Sequence, residues 1–336
     1  MDPRRNALER WLRPQLRDAA FALAPASEDA SFRRYFRATL ADGQRFIVMD
    51  APPDREPCAP FVHVASLLRE AGVHAPEVLA EDLAQGFLLL TDLGTQTYLD
   101  VLDPSDAAGA SALFLDATEA LLRWQCATRP GALPLYDAAL LRGEMALFPA
   151  WYVERHLGIA LSPDQAASLE RLFALLIASA TAQPAVFVHR DYMPRNLMLS
   201  DPNPGVLDFQ DAVIGPISYD IVSLLRDAFI SWDEEQVIDW CVRYWQRARA
   251  VGLPVDPDFG EFYRAFEWMG LQRHLKVLGI FARLTHRDGK GKYVADTPRF
   301  LHYARRVAER YAPLAPLARL LDELEAQAQR SGPAAG

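Results

Sequence analysis

The stretch Val188-His189-Arg190-Asp191-Tyr192-Met193-Pro194-Arg195-Asn196-Leu197-Met198-Leu199, closing after a turn with Val206-Leu207-Asp208-Phe209, decides the fold. An apolar strand pattern, Ala185-Val186-Phe187-Val188, leads into it. Leu197-Met198-Leu199 and Val206-Leu207 flank the turn sequence Asp201-Pro202-Asn203-Pro204-Gly205 and predict a short hairpin. Asp191, Asn196 and Asp208 stand at set intervals around that hairpin. A carboxylate can orient a hydroxyl and accept its proton. An amide and a second carboxylate can hold Mg²⁺ through oxygen. Flanking strands fix the spacing of such ligands, which a loose loop could not do. His189-Arg190-Asp191 alone also fits a polar turn after a buried strand. Three ligand types at this spacing do not.

His-Arg-Asp, four residues, Asn, and then Asp-Phe resembles the protein-kinase catalytic loop with its metal-binding pair. The resemblance implies phosphoryl transfer, with Asp191 as the catalytic carboxylate and Asn196 and Asp208 as ligands of Mg²⁺ beside ATP.

Composition sets wide limits. The 336 residues suffice for one large or two modest domains, and the mix of 51% hydrophobic and 24% charged residues is that of a globular enzyme. A formal net charge of −9 argues against a general nucleic-acid binder. Cys58, Cys126 and Cys241 are scattered and odd in number, and read as reduced thiols. No signal-peptide pattern or membrane-spanning apolar run is evident, so a cytoplasmic location is expected. The expected form is a monomer with no nucleic-acid or membrane partner. Lys276, Lys290 and Lys292 are the only lysines, and the first 275 residues hold none.

Along the chain, residues 4–22 predict an amphipathic helix and 32–50 a hairpin turning at Asp42-Gly43. A helix over 59–71 and strands at Val78-Leu79 and Phe87–Leu90 complete a small β-rich part. Helices are expected over 105–127, 144–157, 163–181, 217–230, 233–250, 258–284 and 297–327. This is an α+β, bilobal pattern: a nucleotide-binding lobe over 1–91 and a catalytic and substrate lobe over 92–330, joined near 91–95. The nucleotide would lie between them, with the backbone of Leu90-Thr91-Asp92-Leu93-Gly94 against the adenine.

The chain resembles the aminoglycoside phosphotransferase-like branch of the kinase fold over nearly its whole length. Within it, Ser31-Phe32-Arg33-Arg34-Tyr35-Phe36-Arg37, Val48-Met49-Asp50-Ala51-Pro52-Pro53, Leu207-Asp208-Phe209-Gln210-Asp211-Ala212 and Gln272–Gly279 are similar to bacterial anomeric kinases for N-acetylmuramate and N-acetylglucosamine. That resemblance implies an ATP- and Mg²⁺-dependent kinase acting on a small amino-sugar in peptidoglycan recycling.

Two kinase parts are missing. Met49 stands where the third strand usually carries a lysine, and the partner glutamate would fall near Phe61. Ala26–Ser31 replaces the glycine-rich loop, with Ser31 a candidate phosphate contact. Arg33 or Arg34 could supply the missing positive charge, or could be a solvated strand residue. Arg195 could reach the phosphate or the substrate, or lie on the surface. Asp220 fits a buried acid tying a helix start to the catalytic loop. Segment 273–292 gathers six basic residues against one acid, Asp288, and suggests an anionic ligand, with Arg273 as one contact. Trp151, Tyr152 and Glu154 could stack on and hydrogen-bond a sugar, or pack a core. Three alternatives stay open: an aminoglycoside or macrolide kinase, another small-metabolite kinase, or a non-catalytic nucleotide-binding regulator.

Overall fold

Arg34–Leu40 alternates in burial at Phe36 and Ala38, Arg45–Asp50 is buried over its last three residues, and the two pair antiparallel, with Arg34 opposite Asp50 and Thr39 opposite Arg45. Around this hairpin the computed structural model builds an α+β chain, described over residues 2–17, 20–27 and 32–331. It divides into two compact units. The first takes Met1–Leu102, Leu115–Ala127 and Pro194–Ala212; the second takes Asp103–Phe114, Thr128–Met193 and Val213–Gly336.

In the first unit, α1 (Pro3–Gln15) precedes β1 (Phe21–Ser27), β2 (Arg34–Leu40) and β3 (Arg45–Asp50). Then come α2 (Ala59–Glu70), β4 (Val78–Asp82), β5 (Phe87–Thr91) and the short α3 (Tyr98–Val101). The five strands form one antiparallel sheet in the order β1-β2-β3-β5-β4. Asp2 caps α1 by accepting from the amides of Arg4 and Arg5. Leu8 and Leu12 of α1 are buried with Phe36, Ala38, Val48, Phe87 and Leu89 of the sheet. Each buried leucine contributes about 2 kcal/mol. Neighbours on a strand point to opposite faces, so Met49 is buried on the other side from Val48.

The expected helix over 4–22 is too long. It ends at Gln15, Arg17 takes a left-handed backbone (φ 53°), and Phe21 begins β1. The segment Phe-Ala-Leu-Ala-Pro-Ala-Ser has no β-branched residue to announce a strand. Its pairing with β2, from Phe21 opposite Leu40 to Ser27 opposite Tyr35, makes it one.

α4 (Ala107–Cys126) begins in the second unit and ends in the first. α5 (Ala138–Met145) is followed by a π-helical turn, Phe148–His156, and α6 (Pro163–Thr181). β6 (Ala185–Val188) leads to the loop His189–Met193 and a 3-10 turn at Pro194–Asn196. The hairpin β7 (Leu197–Met198) and β8 (Gly205–Val206) follows, then β9 (Val213–Pro216), which pairs antiparallel with β6. Helices α7 (Tyr219–Leu225), α8 (Glu234–Ala250), α9 (Phe259–His286), α10 (Thr297–Arg310) and α11 (Ala315–Ser331) complete the chain.

Three expected helices are shorter or broken. Residues 144–157 divide between α5 and the π-helical turn, with Pro149 at its start. The expected 217–230 helix narrows to α7. A 3-10 turn, Ala312–Leu314, breaks 297–327 at Pro313.

α9 is the axis of the second unit's core. Leu271, Leu275 and Leu278 are fully buried among Phe148, Phe300 and Leu314. At Gly279 the helix runs so close to residue 147 that an added Cβ would lie 2.4 Å from the carbonyl carbon of Leu147. No helix among the described residues is long and apolar enough to cross a membrane. Gly279→Ala is expected to cost about 1–3 kcal/mol of stability, read as a lowered Tm, because the backbone it meets cannot swing aside.

Candidate active site

In the first unit the hairpin pairs Leu197 with Val206 and Met198 with Gly205. The amide of Leu207 donates to the carbonyl of Asn196 at 2.9 Å, and that of Val206 to His74 at 2.7 Å. These bonds set Asn196 beside Asp208. The Asn196 amide donates to Asp208 Oδ2 at 3.4 Å, and the Gln210 amide donates to Oδ1 at 2.8 Å. Asp208 holds a left-handed backbone, φ 62°. Asp tolerates that conformation better than most residues. Phe209 is fully buried and packs on Phe61 of α2, with ring centroids 4.7 Å apart. An aromatic contact thus stands where the expected alignment would place a helix glutamate.

Asn196 and Asp208 fit a hard cation: both offer oxygen, and the buried Gln210 Oε1 beside them has no hydrogen-bond partner. Among the described residues no three His, Cys, Asp or Glu side chains gather as a metal cluster. Mg²⁺ needs no such cage, since one or two protein oxygens complete a shell otherwise made of phosphates and water.

The residues expected near the nucleotide take these places. Met49 is fully buried, and so is Asp50 beside it. Asp50 accepts from Arg4 Nε at 2.6 Å and Arg34 Nε at 2.9 Å. Arg34 also pairs with Asp2. Burial opposes the Arg34 charge, but its bonds to Asp2 and Asp50 outweigh it and raise the pKa. Arg33 pairs with Glu56 at 2.8 Å. Both arginines therefore already answer carboxylates, and a buried carboxylate is costly without its cations. Leu90 is buried in β5 between Ile47 and Val78 of the adjoining strands. Asp92 accepts from Arg37 Nε at 2.6 Å and from the Gly94 amide at 3.0 Å. Burial raises its pKa, but those two bonds outweigh it and hold the carboxyl below its usual range. Ser31 lies outside the described residues. Arg195 is exposed on the 3-10 turn.

In the second unit β9 fixes β6, which delivers His189, Arg190 and Asp191 at its end. Asp220, fully buried at the start of α7, accepts from the amides of His189 at 2.6 Å and Arg190 at 3.0 Å. Arg190 is left-handed, φ 77°. Its guanidinium donates to Glu144 at 2.6 Å. Glu144 also meets Lys276 Nζ at 2.8 Å, Gln272 Nε2 at 3.3 Å and the Tyr136 hydroxyl. Lys276 Nζ lies 3.1 Å from the Tyr219 hydroxyl. Burial raises the Glu144 pKa, but Lys276 and Arg190 outweigh it and leave the carboxyl below its usual range. Burial pushes Asp220 up to about 7, against the pull of its two amide bonds. The Asp191 amide donates to His189 Nδ1 at 3.2 Å.

Glu144 and Lys276 as a pair escaped the sequence reading. A signal was present: each charge abuts apolar residues, Met145-Ala146-Leu147-Phe148 after one and Leu275 with Val277-Leu278 around the other. Such charges are rarely buried unless paired. Arg273, expected at the substrate, is 3% exposed; its Nε donates to Ser223 Oγ at 2.7 Å. Glu154 is exposed on the π-helical turn, and Trp151 is partly buried against the core.

A model of the phosphotransferase enzyme family matches residues 22–251. The chain belongs to that family. It is 53% identical over 338 residues to an N-acetylmuramate/N-acetylglucosamine kinase of Pseudomonas putida, covering 98% of each chain. It is 56% identical over 302 residues to the protein of that name from Pseudomonas aeruginosa, covering 90% of this chain and 88% of the relative. Among solved structures, a choline/ethanolamine kinase family protein from Mesorhizobium loti superposes with a TM-score of 0.62 at 16% identity, over 94% of this chain and 99% of that one. An ADP-bound aminoglycoside phosphotransferase gives 0.57 at 15% identity, over 90% and 98%. The fold is thus the kinase-like one of these enzymes, and the family is one of ATP-using phosphotransferases.

Two outcomes test this framework. Arg34→Ala is expected to lower stability by about 1–2 kcal/mol in urea titration, because Asp50 keeps only Arg4 and Arg34 is itself partly exposed. Between about pH 4 and pH 7 the folded chain keeps on Asp220 a proton that the unfolded chain releases, so Asp220's contribution to stability falls as pH rises through that window. In Asp220→Asn, Tm measured across the same window should lose that part of its pH dependence.

Proposed function

We propose that this protein is an ATP-dependent kinase that phosphorylates the anomeric 1-hydroxyl of N-acetylmuramate and N-acetylglucosamine. The observation that carries the reading is the identity of more than half over 98% of the chain to an enzyme bearing those two sugars in its name. The catalytic loop supports it with the residue types that phosphoryl transfer requires.

Asp191 accepts a hydrogen bond from the sugar hydroxyl, aims its oxygen at the γ-phosphorus and takes its proton as the new P–O bond forms. The leaving group is ADP. An anomeric hydroxyl is more acidic than an ordinary alcohol, so modest base assistance is enough. Asn196 and Asp208 would hold Mg²⁺, with Gln210 fixing the Asp208 carboxylate through its amide. Mg²⁺, when bound, offsets the negative charge of the phosphates. Residues 1–91 serve as the nucleotide lobe and 92–330 as the catalytic and substrate lobe. The enzyme works as a monomer in the cytoplasm, in bacterial peptidoglycan recycling.

Phosphorus NMR of the protein incubated with ATP, Mg²⁺ and each sugar should show a sugar 1-phosphate. Phosphorylation of kanamycin alone, or of nothing, would overturn the reading. Asp191→Asn should lower kcat by roughly 10²- to 10⁴-fold with the fold intact by circular dichroism. Asp208→Ala should be close to inactive.

A further inference from the structure

Arg273 of α9 is 3% exposed, yet it forms no ion pair among the described residues. Its Nε donates to Ser223 Oγ of α7 at 2.7 Å, and its Nη2 lies 3.7 Å from the sulfur of Met193. Its Nη1 is buried without a hydrogen-bond partner. Taking a charge out of water is costly, and a serine hydroxyl with a weak thioether acceptor offsets little of that. A neutral side chain could tie α9 to Ser223 more cheaply.

What the charge adds is a field on buried acids of the same unit. Asp220 accepts from the amides of His189 and Arg190. Asp227 Oδ2 accepts from those of Phe229 at 2.8 Å and Ile230 at 3.1 Å, while its Oδ1 is buried and unpartnered. Burial raises the pKa of both acids, and the Arg273 charge is among the influences that oppose the rise. The guanidinium thus favours the carboxylate form of the acid that holds the first two amides of the loop His189–Met193. At the far end of that loop, the Met193 amide donates to the Asp191 carbonyl at 3.0 Å. Arg273 therefore meets the loop directly at Met193 and, through Asp220, at His189 and Arg190. Asp191 stands between these two holds.

Resting on the functional reading above, we propose that Arg273 is a positioning residue for Asp191, holding the loop His189–Met193 through Met193 at one end and Asp220 at the other. Its buried side chain presents little surface to a ligand, so it acts through these neighbours and not on the substrate. Glu144 restrains the Arg190 side chain, which is a different part of the loop. Loss of Arg273 would leave the binding groups in place and misdirect the reacting oxygen, which lowers kcat and spares KM.

The test compares wild type, Arg273→Met and Arg273→Lys by kcat, by KM for ATP and each sugar, and by amide hydrogen exchange. Arg273→Met should lose kcat roughly 10- to 100-fold, with each KM within about threefold of wild type. The amides of His189, Arg190 and Met193 should exchange at least about tenfold faster, while those of α10 keep their protection. Arg273→Lys keeps the charge and loses the fork, so it should recover part of both losses. Should Arg273→Met fail to fold, Arg273→Lys carries the test, with changes of at least about threefold in kcat and in loop exchange. Loop exchange or kcat within about twofold of wild type overturns the inference. Faster exchange spread equally over α10 marks a structural brace and overturns it as well. A wild type inactive on both sugars overturns the functional reading, and loop exchange then decides by itself whether Arg273 holds the loop.

Discussion

The buried carboxylate of Glu144 is the constraint on which the second unit's chemistry rests. It takes Arg190 from the catalytic loop, Lys276 from α9 and the Tyr136 hydroxyl. Arg190 precedes Asp191 and sits in a left-handed conformation that arginine seldom adopts. Such backbone persists only where surroundings over-determine it. Here the side chain is held by Glu144 and the amide by Asp220. The two acids restrain the same residue from its two ends, so the backbone leading into Asp191 is fixed. Under the proposed function this preorganises the carboxylate for catalysis by positioning.

The first unit treats charge differently. Its third strand carries no lysine, and Met49 fills that place as an apolar residue. Asp50 next to it is buried and draws in Arg4 and Arg34. Phe61 answers by packing on Phe209, so α2 and the residue after Asp208 are joined by an aromatic contact. Aromatic pairs of this kind contribute about 1 kcal/mol beyond the area they bury. Met49 and Phe61 are thus both buried apolar side chains.

Much of this was legible in the chain itself. The hairpin between Asn196 and Asp208 could be read because short-range spacing around a turn is a local property. Long helices such as α6, α8 and α9 could be read because periodicity over several turns exceeds the noise of individual propensities. β1 could not: nothing in Phe-Ala-Leu-Ala-Pro-Ala-Ser favours a strand until β2 offers its edge. β9 is four residues long and exists through its ladder with β6. Charge density alone does not show that Arg273 is buried with its Nε on Ser223.

The sequence by itself determined the reaction class, since the motif residues and their intervals around the hairpin are covalently set. It also determined the family, and the absence of a lysine before residue 276. Tertiary structure alone decided which charges are spent on one another. Glu144 and Lys276 are separated by more than a hundred residues, as are Glu144 and Gln272. Arg34 finds Asp50 only across a strand pair. The physical reason is that a charge's role depends on burial and on partners within a few ångströms, because Coulombic interaction strengthens as water is excluded. No local pattern in a chain records that environment.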